Sequence, residues 1–165
     1  MFWSKMLIDG LLMSTAATAL IFASLRANPR IWLNDFPPDL RRAVPPKSEA
    51  EKRQSLRWGL PFLAVLLGGP MLSALGLERA AGGAAFLQLF AHAFGVAFTF
   101  NLVDLLLIDW LVLCTYTPRA FVIPGTEGMA GYKDYGHHFR GFLSGTVFSA
   151  VLGLVAAAAA RLAAP

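Results

Sequence analysis

From Ala84 to Leu113 the chain runs thirty positions without a Lys, Arg, Glu or Pro, yet it carries Gln88, His92, Asn101, Asp104 and Asp109. An apolar run of this length is a transmembrane helix, since about 20 apolar residues cross the hydrocarbon of a bilayer. Carboxylates and an imidazole at that depth are costly, so each needs a partner, a protonation change or access to water. This segment is therefore where function is to be sought.

The rest of the chain agrees with a bilayer as solvent. Of 165 residues, 56% are hydrophobic and 15% charged, against about a quarter charged in a soluble domain. The apolar residues fall into four blocks, which predicts an all-α, polytopic membrane protein with spans at 6–25, 59–77, 85–108 and 142–160, in one membrane domain covering 1–165. Two long connections, 26–58 and 115–141, should form a structured cap. The first block resembles a signal peptide, but the basic stretch Arg26 to Arg30 follows it without a small-x-small cleavage site, so it reads as an uncleaved helix. Cys114 is the only cysteine, which excludes an internal disulfide, CxxC redox chemistry and a thiolate zinc cluster.

Charge sets the expected topology. The two long connections hold eight and three Lys/Arg, whereas Lys5, Arg79 and Arg161 are the three elsewhere. The positive-inside rule then puts both loops in the cytoplasm and both termini on the non-cytoplasmic side of a plasma (inner) membrane. The same segregation points to anionic headgroups as the partner of the basic residues, and not to nucleic acid.

Local signals refine the spans. Ser48-x-x-Glu51 has the form of a capping box, so a short charged helix should run from Glu49 to Trp58. Gly68-Gly69-Pro70 predicts a break in the second span. Trp32, Phe36 and Trp58 are candidates for the headgroup layer. Gly10, Ser14 and Thr18 in the first helix, and Gly141, Gly145, Ser149, Gly153 and Ala157 in the fourth, recur every four residues and present narrow faces for helix packing.

Within the third span, α-helical periodicity groups Gln88, His92 and Thr99 on one side and Asn101 with Asp104 on the other. These are the intramembrane candidates: a stripe holding a proton, ion or headgroup, or polar groups that bridge helices and specify packing. Thirty residues reach about 45 Å, longer than the hydrocarbon core of about 30 Å, so Asp109 should emerge from it. Asp104 is expected to bond a donor from the cap, with Arg119, His137, His138 and Arg140 as candidates, whereas Asp9 should be interfacial and solvated. A haem is not expected, because only His92 lies in a span.

The second loop supplies a further set at the cytoplasmic rim: Asp109, Glu127, Asp134, His137 and His138. These are ligand types for a divalent metal, but no HxxxH, HExxH or paired-carboxylate spacing organises them, and no other cofactor is predicted. The glycine-rich stretch 125–131 lacks the GK[ST] of a phosphate-binding loop. Phe121 to Ile123 should dip into the interface or pack beneath the bundle, and Tyr132, Tyr135 and Phe139 alternate with cations as an interfacial elbow does.

No catalytic constellation is complete, so the first functional expectation is an accessory or scaffolding subunit that forms homo-oligomers or joins a membrane protein partner through its small-residue faces. The alternatives are a proton- or ion-linked transporter using Asp104, Asn101 and His92 beside a broken helix, and a membrane-surface enzyme with its site at the cytoplasmic rim.

Overall fold

The computed structural model describes residues 2–163 and shows an all-α polytopic membrane protein. Helix α1 spans Phe2–Ala27, α3 spans Glu49–Ala81, α4 spans Phe86–Val103 and continues as a π-helix over Asp104–Tyr116, and α5 spans Tyr135–Leu162. Among the described residues these four rods are long and apolar enough to cross a membrane. The short helix α2 (Pro38–Ala43) and the 3₁₀ turns Pro29–Asp35, Arg119–Phe121 and Ala130–Lys133 lie in the two long connections. The rods alternate in direction, so those connections share one end of the bundle, the loop side. The short α3–α4 turn lies at the other end, closed by Gly82 in the left-handed region (φ 62°).

The start of α3 follows from its first four residues. Ser48 Oγ accepts from the Glu51 amide at 3.2 Å, and the Glu51 carboxylate accepts from the Ser48 amide at 2.7 Å, which satisfies two orphan donors reciprocally. Arg30 Nε then donates to Glu51 at 2.5 Å, tying the cap to the first loop. Ser48→Ala is therefore expected to cost about 1 kcal/mol, read as a lowered thermal midpoint in detergent. A midpoint unchanged from the parent would mean that the cap contributes nothing.

Two expectations about α3 need correction. No break occurs at Gly68-Gly69-Pro70, and the charged segment 49–58 is continuous with the span: one 33-residue helix contains both Pro61 and Pro70. Proline's fixed φ is itself helical, and what it removes is one donor and some clearance behind it. Packing against α1 holds the rod together, with Met13 of α1 lying against Gly69.

The narrow faces seen in the sequence are used inside the bundle. A Cβ on Gly10 would come 2.8 Å from Thr99 Cβ, and one on Gly153 would come 3.0 Å from the Phe94 amide nitrogen. Helix α4 is thus clasped by α1 on one side and by the ridge of α5 on the other, where Gly145 faces Asn101 and Ser149 is buried.

The loop layer extends this core below the rods. Leu33, Phe36, Leu40, Ile123 and Tyr132 are buried together with Leu25 and Ile108. Trp32 Nε1 donates to Ser24 Oγ at 2.7 Å, and Phe36 packs edge-on against Tyr132. Trp32 and Phe36 therefore turn inward and are not headgroup anchors. Tyr132 also faces in, its hydroxyl accepting from the Ile123 amide at 2.8 Å, while Tyr135 and Phe139 stay exposed. The physical reason is that the loops carry enough apolar side chains to close a core of their own. Phe121–Ile123 joins it, with Ile123 fully buried.

Candidate functional site

The π-helix decides which polar residues meet. Five residues apart on an α-helix means about 140° around the axis, but at about 4.4 residues per turn a π-helix brings the same pair within about 50°. Asp104, Asp109 and Cys114, spaced by five, therefore share one face of Asp104–Tyr116. Thr115 Oγ1 reaches the carbonyl of Trp110, also five residues back, at 2.7 Å. Lys133 closes the helix end, donating to the carbonyl of Cys114 and, at 3.0 Å each, to the Thr115 carbonyl and Thr117 Oγ1. A cation there suits the negative end of a helix.

That face borders a cavity of about 480 Å³ on the loop side, between α1, the π-helix, the start of α5 and the turn Pro29–Asp35. Asn101, Asp104, Asp109, His137, His138 and Asp35 supply its polar wall, while Ile21, Leu25, Phe62 and Phe142 are among its apolar residues. His138 Nδ1 stands 3.0 Å from Asp109 Oδ1. His137 Nε2 lies 3.0 Å from the Asp35 carbonyl oxygen. Asn101 is spent on α5, donating to the Phe142 carbonyl at 3.0 Å and to Thr146 Oγ1 at 3.1 Å.

Asp104 differs from its expectation. None of Arg119, His137, His138 or Arg140 hydrogen-bonds to it, and it forms no hydrogen bond or ion pair among the described residues. The reason lies in the π-turn, which places Asp109 on the same face and gives it the His138 ring. Asp104 is left facing the cavity with a free carboxyl group. Asp35 is open to the cavity mouth yet ringed by protein: this burial pushes its carboxyl above the usual carboxylate range, opposed by nearby Lys47 and reinforced by Asp109.

The remaining candidates do not gather here. Glu127 bonds the Gly125 amide within its own turn, and Asp134 caps α5 by accepting from the His137 amide at 2.8 Å. His92 is fully buried at the far end of the bundle, its Nε2 2.7 Å from Ser73 Oγ of α3. Asp9, expected to be solvated, joins that network: Ser73 Oγ donates to it and Lys5 pairs with it. Lys5 sits one turn earlier on the same helix and Ser73 directly opposite, which turns the carboxylate inward. Among the described residues no three His, Cys, Asp or Glu side chains converge as a metal-holding group.

The sequence did not single out Asn34 and Asp35, and it hid the alignment of Asp104 with Asp109. The five-residue spacing was the available signal, but it carries meaning only once a π-helix is known. No protein-family model, curated protein or solved structure matches this chain. Fold and site together define its class: a four-span helical membrane protein with a mainly apolar cavity, polar along one wall, at its loop side. A more particular assignment has to come from the chemistry of that cavity.

Proposed function

We propose that this protein is a membrane-surface enzyme that takes an amphiphilic substrate into the loop-side cavity and carries out proton-transfer chemistry on its polar end. The observation behind this reading is the acid–base arrangement in one cavity wall: the Asp109–His138 pair with Asp104 free beside it. In the proposed roles, Asp109 orients the His138 ring, His138 gives a proton to the substrate and later recovers it, and Asp104 receives a hydrogen bond from the substrate. Ile21, Leu25 and Phe62 would hold its apolar part. Charge distribution supports a plasma (inner) membrane location with the cavity on the cytoplasmic side and both termini outside.

The other two readings have less to rest on. On the small-residue faces that motivated an accessory subunit, Gly10, Gly145 and Gly153 meet α4 of the same chain, and the broken helix that motivated a carrier is continuous. The test is mass spectrometry of purified protein incubated with extracted membrane lipids. A converted species that forms with the parent protein and with Ser48→Ala, but not with His138→Gln, is the expected result. Conversion, or its absence, independent of His138 would sink the proposal.

A further inference from the structure

A second hollow, of about 550 Å³, shares only Asn34 with the cavity. Three segments of the loop layer build it: Leu33 and Asn34 from the turn Pro29–Asp35, Arg41 of α2 with Lys47 beyond it, and Lys52 and Ser55 from the first two turns of α3. Its charged lining is wholly cationic, with no Asp or Glu in it. Lys47 is half-buried and fixed in place. It donates to the Ile31 carbonyl and, at 3.0 Å, to Ser55 Oγ, which itself donates to the same carbonyl at 3.0 Å. Two of the three ammonium protons are thereby used, and one is left for a ligand. Arg41 is exposed, and its guanidinium forms no hydrogen bond or ion pair among the described residues. Lys52 has only the exposed Glu49, at 2.7 Å, and a surface pair of that kind holds a lysine weakly.

The position of the hollow decides which anion reaches it. Helix α3 has 33 residues and is therefore about 50 Å long, against about 30 Å of hydrocarbon. The charged stretch Glu49 to Arg57 puts the excess at its start, at the level of the headgroups. Lys52 there heads a stripe with Leu56, Leu60, Leu63 and Leu67, which fall within about 80° of one another around the helix. All five are exposed, so below the cation the stripe faces acyl chains. Gly59, one turn beyond Ser55, would have nothing within 4 Å of an added Cβ, which lets a chain pass close to the helix. A molecule with its phosphate in the hollow can thus lay its apolar part along α3 without entering the bundle. The lining gives donors to phosphate oxygens and no carboxylate to a headgroup cation. We infer that the hollow binds the phosphate of an anionic phospholipid, one whose headgroup carries no ammonium, with its chains along Leu56 and Leu63. Arg41 supplies a planar fork, Lys47 its remaining proton and Lys52 a point charge. The lipid then ties the turn, α2 and α3 together from outside. This site stands apart from the enzyme reading, since Asp104, Asp109 and His138 do not line it.

The experiment is equilibrium binding to the full-length protein in detergent. The probes are short-chain phosphatidylglycerol, short-chain phosphatidylcholine and glycerophosphoglycerol, which is the first lipid's head without its chains. Phosphatidylglycerol should bind about tenfold tighter than phosphatidylcholine, whose fixed cation meets only like charge in the hollow. Arg41→Gln should weaken phosphatidylglycerol about tenfold, as the loss of one charge-assisted hydrogen bond does. Arg42→Gln makes the same change of charge on the adjacent exposed residue, which does not line the hollow, and should keep the parental affinity. Both variants should keep the parental thermal midpoint; if Arg41→Gln lowers it, Lys52→Gln takes its place in the comparison. Equal weakening by the hollow variant and by Arg42→Gln would reduce the effect to diffuse attraction by a basic surface and overturn the inference. Equal affinity for the two lipids would overturn it as well. Glycerophosphoglycerol binding as tightly as the lipid would overturn the lipid assignment in favour of a water-soluble phosphate ester.

Discussion

His138→Ala should abolish conversion and lower the unfolding midpoint together, whereas Asp104→Asn should impair conversion and leave the fold at least as stable as the parent. The two side chains sit in one cavity wall, but they stand in different relations to the protein. His138 is about a tenth exposed and faces Asp109, which is itself 18% exposed. Deleting the imidazole leaves the Asp109 carboxylate on the π-helical face without its partner. Breaking a buried pair typically costs about 3–5 kcal/mol, and water reaching the cavity puts this one near about 3 kcal/mol. Asp104 has no partner to lose, so its amide isostere keeps the shape of the side chain without stranding a donor. A group that does nothing for the fold and sits free in a cavity is the pattern expected where stability is given up for function. Thermal unfolding in detergent, run beside the conversion assay, checks both. If Asp104→Asn lowers the midpoint as far as His138→Ala, Asp104 is a structural residue and the proposed roles fail.

What the sequence made legible and what it hid have separate physical causes. The four rods follow from apolar length alone, because a bilayer leaves the backbone few ways to satisfy itself, and the cap of α3 follows from Ser48 and Glu51, which are local. The small-residue ridges were also readable as packing faces. Their partners were not, since spacing shows that a face is narrow without showing whether another protein or the same chain fills it. The cavity was only half visible. His137, His138, Asp104 and Asp109 could be named as candidates because charge in an apolar run is conspicuous. Their relation could not, because the α-helical 100° per residue no longer holds where the helix widens at Asp104. Asp35 was hidden for a different reason: it is an ordinary turn residue that becomes part of a site only when the first loop folds under α4. Asp9 stays a quarter exposed near its helix end, and what the sequence could not show is the Ser73 hydroxyl that donates to it from the facing helix.

Gly153→Leu is the substitution expected to disturb the fold most, and it also separates two meanings of the α5 ridge. A Cβ at Gly153 would lie 3.0 Å from the Phe94 amide nitrogen and 3.2 Å from its Cα. Backbone cannot swing aside as a side chain can, so α4 and α5 must move apart along the contact that seats α4 in the bundle. Overpacking of a well-filled core costs about 1–3 kcal/mol, occasionally more, and a rigid obstacle favours the upper end, about 3 kcal/mol. Gly145 is the contrasting case: its added carbon meets the Asn101 side chain, 2.2 Å from Oδ1, which can turn away. Gly145→Ala should therefore perturb the cavity wall more than the fold. Gly141, where an added Cβ would meet nothing within 4 Å, is the control, and Gly141→Ala should not lower the midpoint. Measured in detergent, the expected order of midpoints is Gly141→Ala, then Gly145→Ala, then Gly153→Leu, from highest to lowest. Were the ridge a surface for another protein, Gly153→Leu would keep a parental midpoint and lose only the partner. That outcome would return the accessory-subunit reading to first place, whereas a large loss of stability assigns the ridge to the chain's own fold.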